Sequence, residues 1–181
     1  VYAAPLVSFV MVIAAKFPNA PDQVNNILNN LWLVVHVVAV FIGEASFALA
    51  CGVGILYLLQ EHAIKSKKHG FFFRRLPSLE LLDTTGYACI LTGFAMLTFG
   101  LITGFVYAKT VWGRFWSWDP KEIWSGITWL LYAALLHQRL TVGWRGRRAA
   151  IMAIIGFAII LFTFLGVNFL LQGHHGEFTK L

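Results

Sequence analysis

Long apolar runs are the feature of this 181-residue chain that most restricts its fold. A bilayer core of roughly 30 Å needs about 20 helical residues, and a backbone in lipid must satisfy its hydrogen bonds within each helix. The runs of that length are residues 31–59, 86–107 and 152–171, and the shorter ones are residues 123–136 and 1–15. The sequence therefore predicts an all-α, integral membrane helix bundle of about four to five spans, forming one domain over residues 1–181.

Composition agrees with a membrane protein and argues against other classes. Only 12% of the residues are charged and the mean hydropathy is +0.72, whereas about 25% of an ordinary soluble domain is charged. The net charge of +6 comes from basic residues in short loops between apolar runs, which is typical of membrane topology rather than of a nucleic-acid surface. Cys51 and Cys89 lie inside apolar runs without CxxC spacing, so we interpret both as small hydrophobic residues.

The distribution of basic residues predicts the orientation. Nine of the fourteen lysines and arginines fall within residues 61–80 and 139–148. Cytoplasmic loops carry an excess of such residues, so we expect both loops on the cytoplasmic side. The segment 111–124 and the C-terminus are then expected on the outer face.

Segment 111–124 concentrates the aromatic residues. Four of the seven tryptophans lie there, namely Trp112, Trp116, Trp118 and Trp124. We expect an interfacial helix in which Trp112 and Trp116, four residues apart, share one face. Rigid rings beside Arg114 suit a flat apolar ligand with acidic edges, and haem is the leading candidate. An aromatic belt at the membrane interface is the alternative interpretation.

A helix start is predicted directly after the tryptophans. Asp119 would be the N-cap, Pro120 the first helical residue and Glu122 the third, as in a capping box. This structural role competes with any role of Asp119 in binding a ligand.

Three positions hold histidines that suit haem iron, which proteins commonly bind through imidazole. His36 lies near the outer end of the run 31–59, and the pair His174 and His175 follows the last run. His137 lies thirteen residues after Trp124, or about 20 Å deeper along a helix. It therefore indicates either a second, inner haem site or an ordinary interfacial histidine.

Three stretches resemble one family. WGRFWSWDPKE at residues 112–122, ITWLLY at 127–132 and LGVNF at 165–169 are similar to cytochrome c biogenesis (cytochrome c assembly) proteins of the CcsA/ResC type, known as system II. The first stretch closely resembles the WWD segment of that family. The likeness extends from about residue 31 to residue 175.

The resemblance implies that the chain binds haem b in the membrane and presents it on the outer face to an apocytochrome c carrying a Cys-x-x-Cys-His motif. It implies that His36 and His175 ligate the iron, with His174 as the alternative to His175, and that His137 matches a histidine of the incoming haem. It also implies a second subunit of the CcsB/ResB type or a fused equivalent, as part of a holocytochrome c synthase, so we expect the chain to be the C-terminal core of a larger protein or complex. The membrane implied by the resemblance is a bacterial cytoplasmic membrane, with a periplasmic outer face, or a thylakoid membrane, with a lumenal one.

Other functions stay open at this point. One alternative is a haem exporter that passes haem to a chaperone, and another is an electron-transfer membrane cytochrome with permanent haem b. A structural subunit whose tryptophans form only a belt is a third. No phosphate-binding glycine motif occurs in the sequence that would indicate an energy source for transport.

Overall fold

The computed structural model describes residues 31–67, 76–116 and 118–163, and these residues form helices without any strand. The helices are α1 (Leu31–Lys65), α2 (Leu79–Trp112), α3 (Pro120–Thr141) and α4 (Arg147–Leu161). The predicted run 1–15 and the part of the last run beyond residue 163 lie outside the described residues. The prediction of an all-α membrane bundle is confirmed, while the total of four to five spans and the single domain stay predictions.

Within the described residues, two helices are long and apolar enough to cross a membrane, namely α1 and the part of α2 over Leu79–Thr110. Large apolar side chains on their surfaces, such as Phe41, Leu49 and Ile102, are more than half exposed. Exposure of apolar side chains to water along a whole helix is unfavourable, so we expect these faces to contact lipid.

Local sequence explains both ends of α2. The Ser78 hydroxyl accepts a hydrogen bond from the Leu81 amide at 3.2 Å and caps the first turn. At the other end Gly113 takes the left-handed conformation at φ 73°, and its amide donates to the Lys109 carbonyl at 3.1 Å. Glycine adopts this conformation without the cost that a Cβ atom brings, so α2 ends at Trp112.

Glycines on α2 let α1 pack closely against it. A Cβ atom added at Gly93 would lie 2.7 Å from the Phe47 ring, and one added at Gly100 would lie 2.7 Å from a Val40 methyl group. The two longest helices therefore form the most extensive pair in the described bundle.

The centre of the bundle is an aromatic stack between α1 and α3. The rings of Phe47 and Tyr132 lie 3.7 Å apart at an interplanar angle of 15° and are fully buried. Gly156 of α4 faces the phenol, since a Cβ atom there would lie 2.7 Å from the Tyr132 ring. This stack separates the two ends of the bundle, which differ in chemistry.

Candidate functional site

Hydrogen bonds between α1 and α2 define one end of the bundle, here called the tryptophan end. The Trp32 indole N–H donates to the Thr103 carbonyl at 3.0 Å. Nδ1 of His36 lies 2.8 Å from the Gly100 carbonyl oxygen. The start of α1 therefore lies beside the end of α2, next to the tryptophan segment that follows Trp112.

The His36 ring has a defined tautomer. A carbonyl oxygen only accepts hydrogen bonds, so the 2.8 Å contact to Gly100 requires a proton on Nδ1. The Thr103 hydroxyl is 3.3 Å from the same nitrogen, but it donates its own proton to the carbonyls of Phe99 or Gly100, each at 2.9 Å. In the neutral imidazole the lone pair that can bind a metal is then on Nε2.

Trp116 is folded back against the bundle. Its ring centroid lies 5.7 Å from that of Phe105 on α2, and a Cβ atom added at Gly126 on α3 would lie 3.7 Å from its Cη2 atom. The ring therefore lies between α2 and α3. Its buried indole N–H has no acceptor among the residues that the structure describes.

The prediction that Trp112 and Trp116 share a helical turn is wrong. Because Gly113 is left-handed and ends α2, the backbone leaves the helix between the two tryptophans. Trp112 is the last residue of α2, and its side chain lies outside the described part of the chain. Residues 113–116 and 118–119 are non-helical, so they do not form the predicted interfacial helix.

Trp118 and Phe115 expose their rings at this end. Trp118 is 75% exposed and Phe115 is 57% exposed. The Trp118 ring meets the Trp116 ring edge-on, with centroids 6.0 Å apart and an interplanar angle of 88°. Trp118 also has φ 60°, a backbone conformation that is uncommon for a bulky residue. Arg114 is exposed in the same connection, so cationic and aromatic groups lie together.

The capping prediction is confirmed. The Asp119 carboxylate accepts from the Lys121 amide at 2.9 Å, and the Glu122 carboxylate accepts from the Asp119 amide at 3.3 Å. Asp119 is only 4% exposed. Its carboxylate therefore stabilises the first turn of α3 and does not face a ligand from the surface.

Trp124 packs in a different direction from Trp116. Its ring centroid lies 4.7 Å from that of Phe162, which follows α4, at an angle of 63°. This contact joins the first turns of α3 to the end of α4. The four predicted tryptophans are thus not one flat surface: two are packed between helices, one is exposed, and the Trp112 ring is not described.

The structure places His36 and Trp116 against consecutive residues of α2. His36 packs against Gly104, where a Cβ atom would lie 2.9 Å from its Cε1 atom, and Trp116 packs against Phe105. Successive residues of a helix differ by 1.5 Å in height and about 100° in direction. The imidazole and the indole therefore lie at one level on neighbouring sides of α2.

The remaining predicted histidines do not join this arrangement in the described residues. His137 is exposed near the end of α3, and Arg139 two residues later contacts the start of α2, so His137 lies at the opposite end from His36. His174 and His175 lie outside the described residues.

Three residues at the tryptophan end were missed as site residues in the sequence. One of them is Trp32, which lies four residues before His36 and hence on the same helical face. The other two, Thr103 and Gly104, lie on α2, far from His36 in the chain. The i, i+4 spacing identifies Trp32, whereas nothing in the sequence pairs Gly104 with His36.

The side chains at this end fit a haem better than a bare metal ion. Within the described ranges no group of three or more histidine, cysteine or acidic side chains converges to chelate an ion. A single oriented imidazole suits iron already held by four porphyrin nitrogens. The rings of Trp116, Trp118 and Phe115 supply flat apolar surface, and the Arg114 guanidinium suits a carboxylate.

The opposite end, here called the basic end, is an ion-pair cluster. Arg139 at the end of α3 makes two hydrogen bonds to the Asp83 carboxylate of α2, at 3.1 and 2.7 Å. The Gly146 amide before α4 donates to the same carboxylate at 2.7 Å, and the guanidinium stacks over the Tyr87 ring at 4.3 Å. One carboxylate therefore joins three helices.

These observations define the class of protein: a membrane helix bundle with an oriented imidazole and aromatic rings at one end and an ion-pair cluster at the other. The chain belongs to the cytochrome C assembly protein family, whose model matches residues 1–175. The family predicted from the tryptophan segment is confirmed.

Curated relatives that carry the name cytochrome c biogenesis protein CcsA support this family membership. The relative from Prochlorococcus marinus strain MIT 9312 is 41% identical over 167 residues, which cover 82% of this chain and 54% of the relative. That from Mesostigma viride is 40% identical over 175 residues, covering 84% and 57%. That from Synechococcus sp. strain JA-2-3B'a(2-13) is 52% identical over 106 residues, covering 59% and 30%. The chain thus spans about half the length, or less, of these relatives.

Proposed function

We propose that this chain handles haem in cytochrome c biogenesis and holds it at the tryptophan end for attachment to an apocytochrome c. The observation that carries the proposal is the placement of His36 and Trp116 at one level of α2, against Gly104 and Phe105. Family membership supports the biological process, since the relatives carry the name of cytochrome c biogenesis proteins.

The residues at the tryptophan end would ligate the iron, cover the porphyrin or pair with a propionate. Nε2 of His36 would ligate the iron, and one of His174 and His175 would be the second axial ligand. Trp118 and Phe115, which are already exposed, would cover the porphyrin, and Arg114 would pair with a propionate. Haem b brings the vinyl groups, and holding them beside cysteine thiols supplies proximity that lowers the barrier by several kcal/mol, up to about 10.

The proposed orientation puts the tryptophan end on the periplasmic or lumenal side. The exposed arginines Arg145, Arg147 and Arg148 all lie at the other end, as the positive-inside rule requires for a cytoplasmic face. A CcsB/ResB-type subunit or fused equivalent would complete the synthase. His137, at the cytoplasmic end, would serve an incoming haem.

The first experiment is the absorption spectrum of the detergent-purified protein supplied with haem, in the oxidised and dithionite-reduced states. We expect a low-spin, six-coordinate b-type spectrum that is lost or shifted in His36→Ala. The matched control is His62→Ala, because His62 is an exposed histidine at the basic end.

Two results would contradict the proposal. Absence of a Soret band with added haem would leave the tryptophans as an interfacial belt. A spectrum that His36→Ala leaves unchanged would move the haem away from the tryptophan end, with His137→Ala as the next variant to measure.

The orientation of the chain in the membrane is tested by a separate labelling experiment. In a variant without Cys51 and Cys89, a cysteine at exposed Phe115 should react with a membrane-impermeant maleimide in intact cells, whereas Arg145→Cys should react only after lysis. The reverse labelling pattern would overturn the proposed sidedness.

A further inference from the structure

We infer that Gly104 is a positioning residue for His36: together with the Gly100 carbonyl it holds the imidazole in one orientation and one tautomer, so that Nε2 is the iron-binding nitrogen. This inference rests on the proposed function for its link to iron. Its geometric part concerns the protein alone.

The first argument is steric. A Cβ atom added at Gly104 would lie 2.9 Å from Cε1 and 3.3 Å from Nδ1 of His36, closer than packed atoms normally approach. The imidazole therefore occupies the space that any other residue would fill at this position. Glycine inside a helix costs up to about 1 kcal/mol relative to alanine, so its presence here is explained by the ring and not by the helix.

The second argument is the hydrogen bond to a fixed acceptor. The Gly100 carbonyl belongs to the backbone of α2, four residues before Gly104, and it cannot rotate away from Nδ1. Contact with the Gly104 backbone on one side and the bond to Gly100 on the other leave the ring little freedom about its side-chain torsions. The imidazole is therefore oriented in the protein before any haem arrives.

The consequence for ligation follows from general metal chemistry. A histidine that donates its second ring N–H to a carbonyl has a fixed orientation and a more basic ligating nitrogen. Removing such support typically weakens metal binding by about 10- to 100-fold. Gly104 would thus control both the affinity for haem and the reduction potential of the iron, without touching the iron itself.

The test compares Gly104→Ala with Gly93→Ala in the full chain. Both variants crowd the same pair of helices to a similar degree, but a Cβ atom at Gly93 would meet the Phe47 ring, which is far from His36. A third variant, Gly52→Ala, adds a methyl group with nothing within 4 Å and controls for the change in helix propensity.

Two measurements are made on each variant. In the haem-free protein at pH 8, ¹⁵N NMR of labelled histidine reports which ring nitrogen of His36 carries the proton, with His36→Gln giving the assignment. In the haem-loaded protein, titration gives the affinity and potentiometry gives the midpoint potential.

We expect Nδ1–H in the parent protein and a mixture of tautomers in Gly104→Ala, together with at least tenfold weaker haem binding and a shifted potential. Gly93→Ala should lower stability but keep the tautomer and the potential. An Nε2–H tautomer in the parent, or equal shifts in Gly93→Ala and Gly104→Ala, would overturn the inference.

The two proposals fail in different ways. If His36→Ala abolishes haem binding while Gly104→Ala changes neither the tautomer nor the potential, then His36 is a ligand but Gly104 does not position it. If His36→Ala leaves the haem spectrum unchanged, the proposed function itself fails, and the NMR result still decides whether Gly104 orients the ring.

Discussion

The two ends of the bundle use polar and aromatic groups in opposite ways. At the basic end the Asp83 carboxylate is saturated by Arg139 and the Gly146 amide, and both charged side chains are nearly buried, at 13% and 10% exposure. At the tryptophan end Trp118 and Phe115 expose their rings, and the His36 imidazole is held by a hydrogen bond to the Gly100 carbonyl.

This difference distinguishes a structural region from the proposed haem-binding region. A buried ion pair whose hydrogen bonds are all made joins helices and has nothing left for a ligand. Exposed aromatic rings beside an oriented imidazole add little to the stability of the fold, yet they supply the contacts that a flat ligand needs. Mutations at the two ends should therefore affect stability and haem binding in opposite proportions.

The largest expected loss of stability is at the basic end. Asp83→Ala would leave the Arg139 guanidinium buried without its carboxylate and the Gly146 amide without its acceptor. Breaking a largely buried pair in this way should lower the free energy of unfolding by about 3 kcal/mol. Unfolding in mixed micelles measures the loss, and the haem affinity should change less than threefold.

Lys65→Ala is the matched control for that prediction. Lys65 pairs with Glu61 at 2.6 Å on the same helix, but its side chain is 63% exposed. An exposed pair of this kind contributes below about 0.5 kcal/mol. Similar losses in Asp83→Ala and Lys65→Ala would contradict the view that burial makes the Asp83 cluster structural.

A smaller loss of stability is expected for mutations within the tryptophan segment, where stability and haem affinity should respond differently. Trp116→Ala removes a ring packed between Phe105 and Gly126 and should cost roughly 2 kcal/mol of stability, since the side chain is partly buried. Trp118→Ala removes a largely exposed ring and should cost less than about 0.5 kcal/mol. Haem titration should nonetheless show at least tenfold weaker binding in Trp118→Ala.

The opposite ranking of the two tryptophan variants would contradict the distinction between a packed Trp116 and an exposed, ligand-contacting Trp118. If Trp118→Ala unfolds the protein while Trp116→Ala only weakens haem binding, then the exposed ring is structural and the packed one contacts the ligand.

A change of about 1 kcal/mol in stability is expected from mutations of the N-cap at the start of α3. Asp119→Ala removes the N-cap and should lower the free energy of unfolding by about 1 kcal/mol. Asp119→Asn keeps a capping oxygen and should restore most of that stability. If the asparagine variant is stable but loses haem, the Asp119 charge acts on the ligand as well as on the helix.

Much of the architecture could be predicted because it depends on local sequence. The run 31–59 predicted α1, and Asp119, Pro120 and Glu122 predicted the start of α3 to the residue. Gly113 is a helix-end signal in the sequence, because a glycine that follows a last turn containing a lysine is a common helix end. With that signal, the helical turn between Trp112 and Trp116 would not have been predicted.

The candidate site was only partly predictable, because its contacts join residues far apart in the chain. His36, Trp116 and Trp118 lie at the tryptophan end of the described bundle, and the haem contacts predicted for them stay predictions. The contact of His36 with Gly104 joins positions 68 residues apart, and no pattern within either helix indicates it.

By itself, the sequence determined the apolar helices, the caps that begin and end them, and the family to which the chain belongs. These follow from residue spacing along one helix and from short motifs, which need no knowledge of neighbouring helices. Only the tertiary structure decided which tryptophan is packed and which is exposed, and which nitrogen of His36 carries the proton. Those properties depend on the register of α1 against α2, because a shift of one residue would turn the imidazole about 100° away from its glycine.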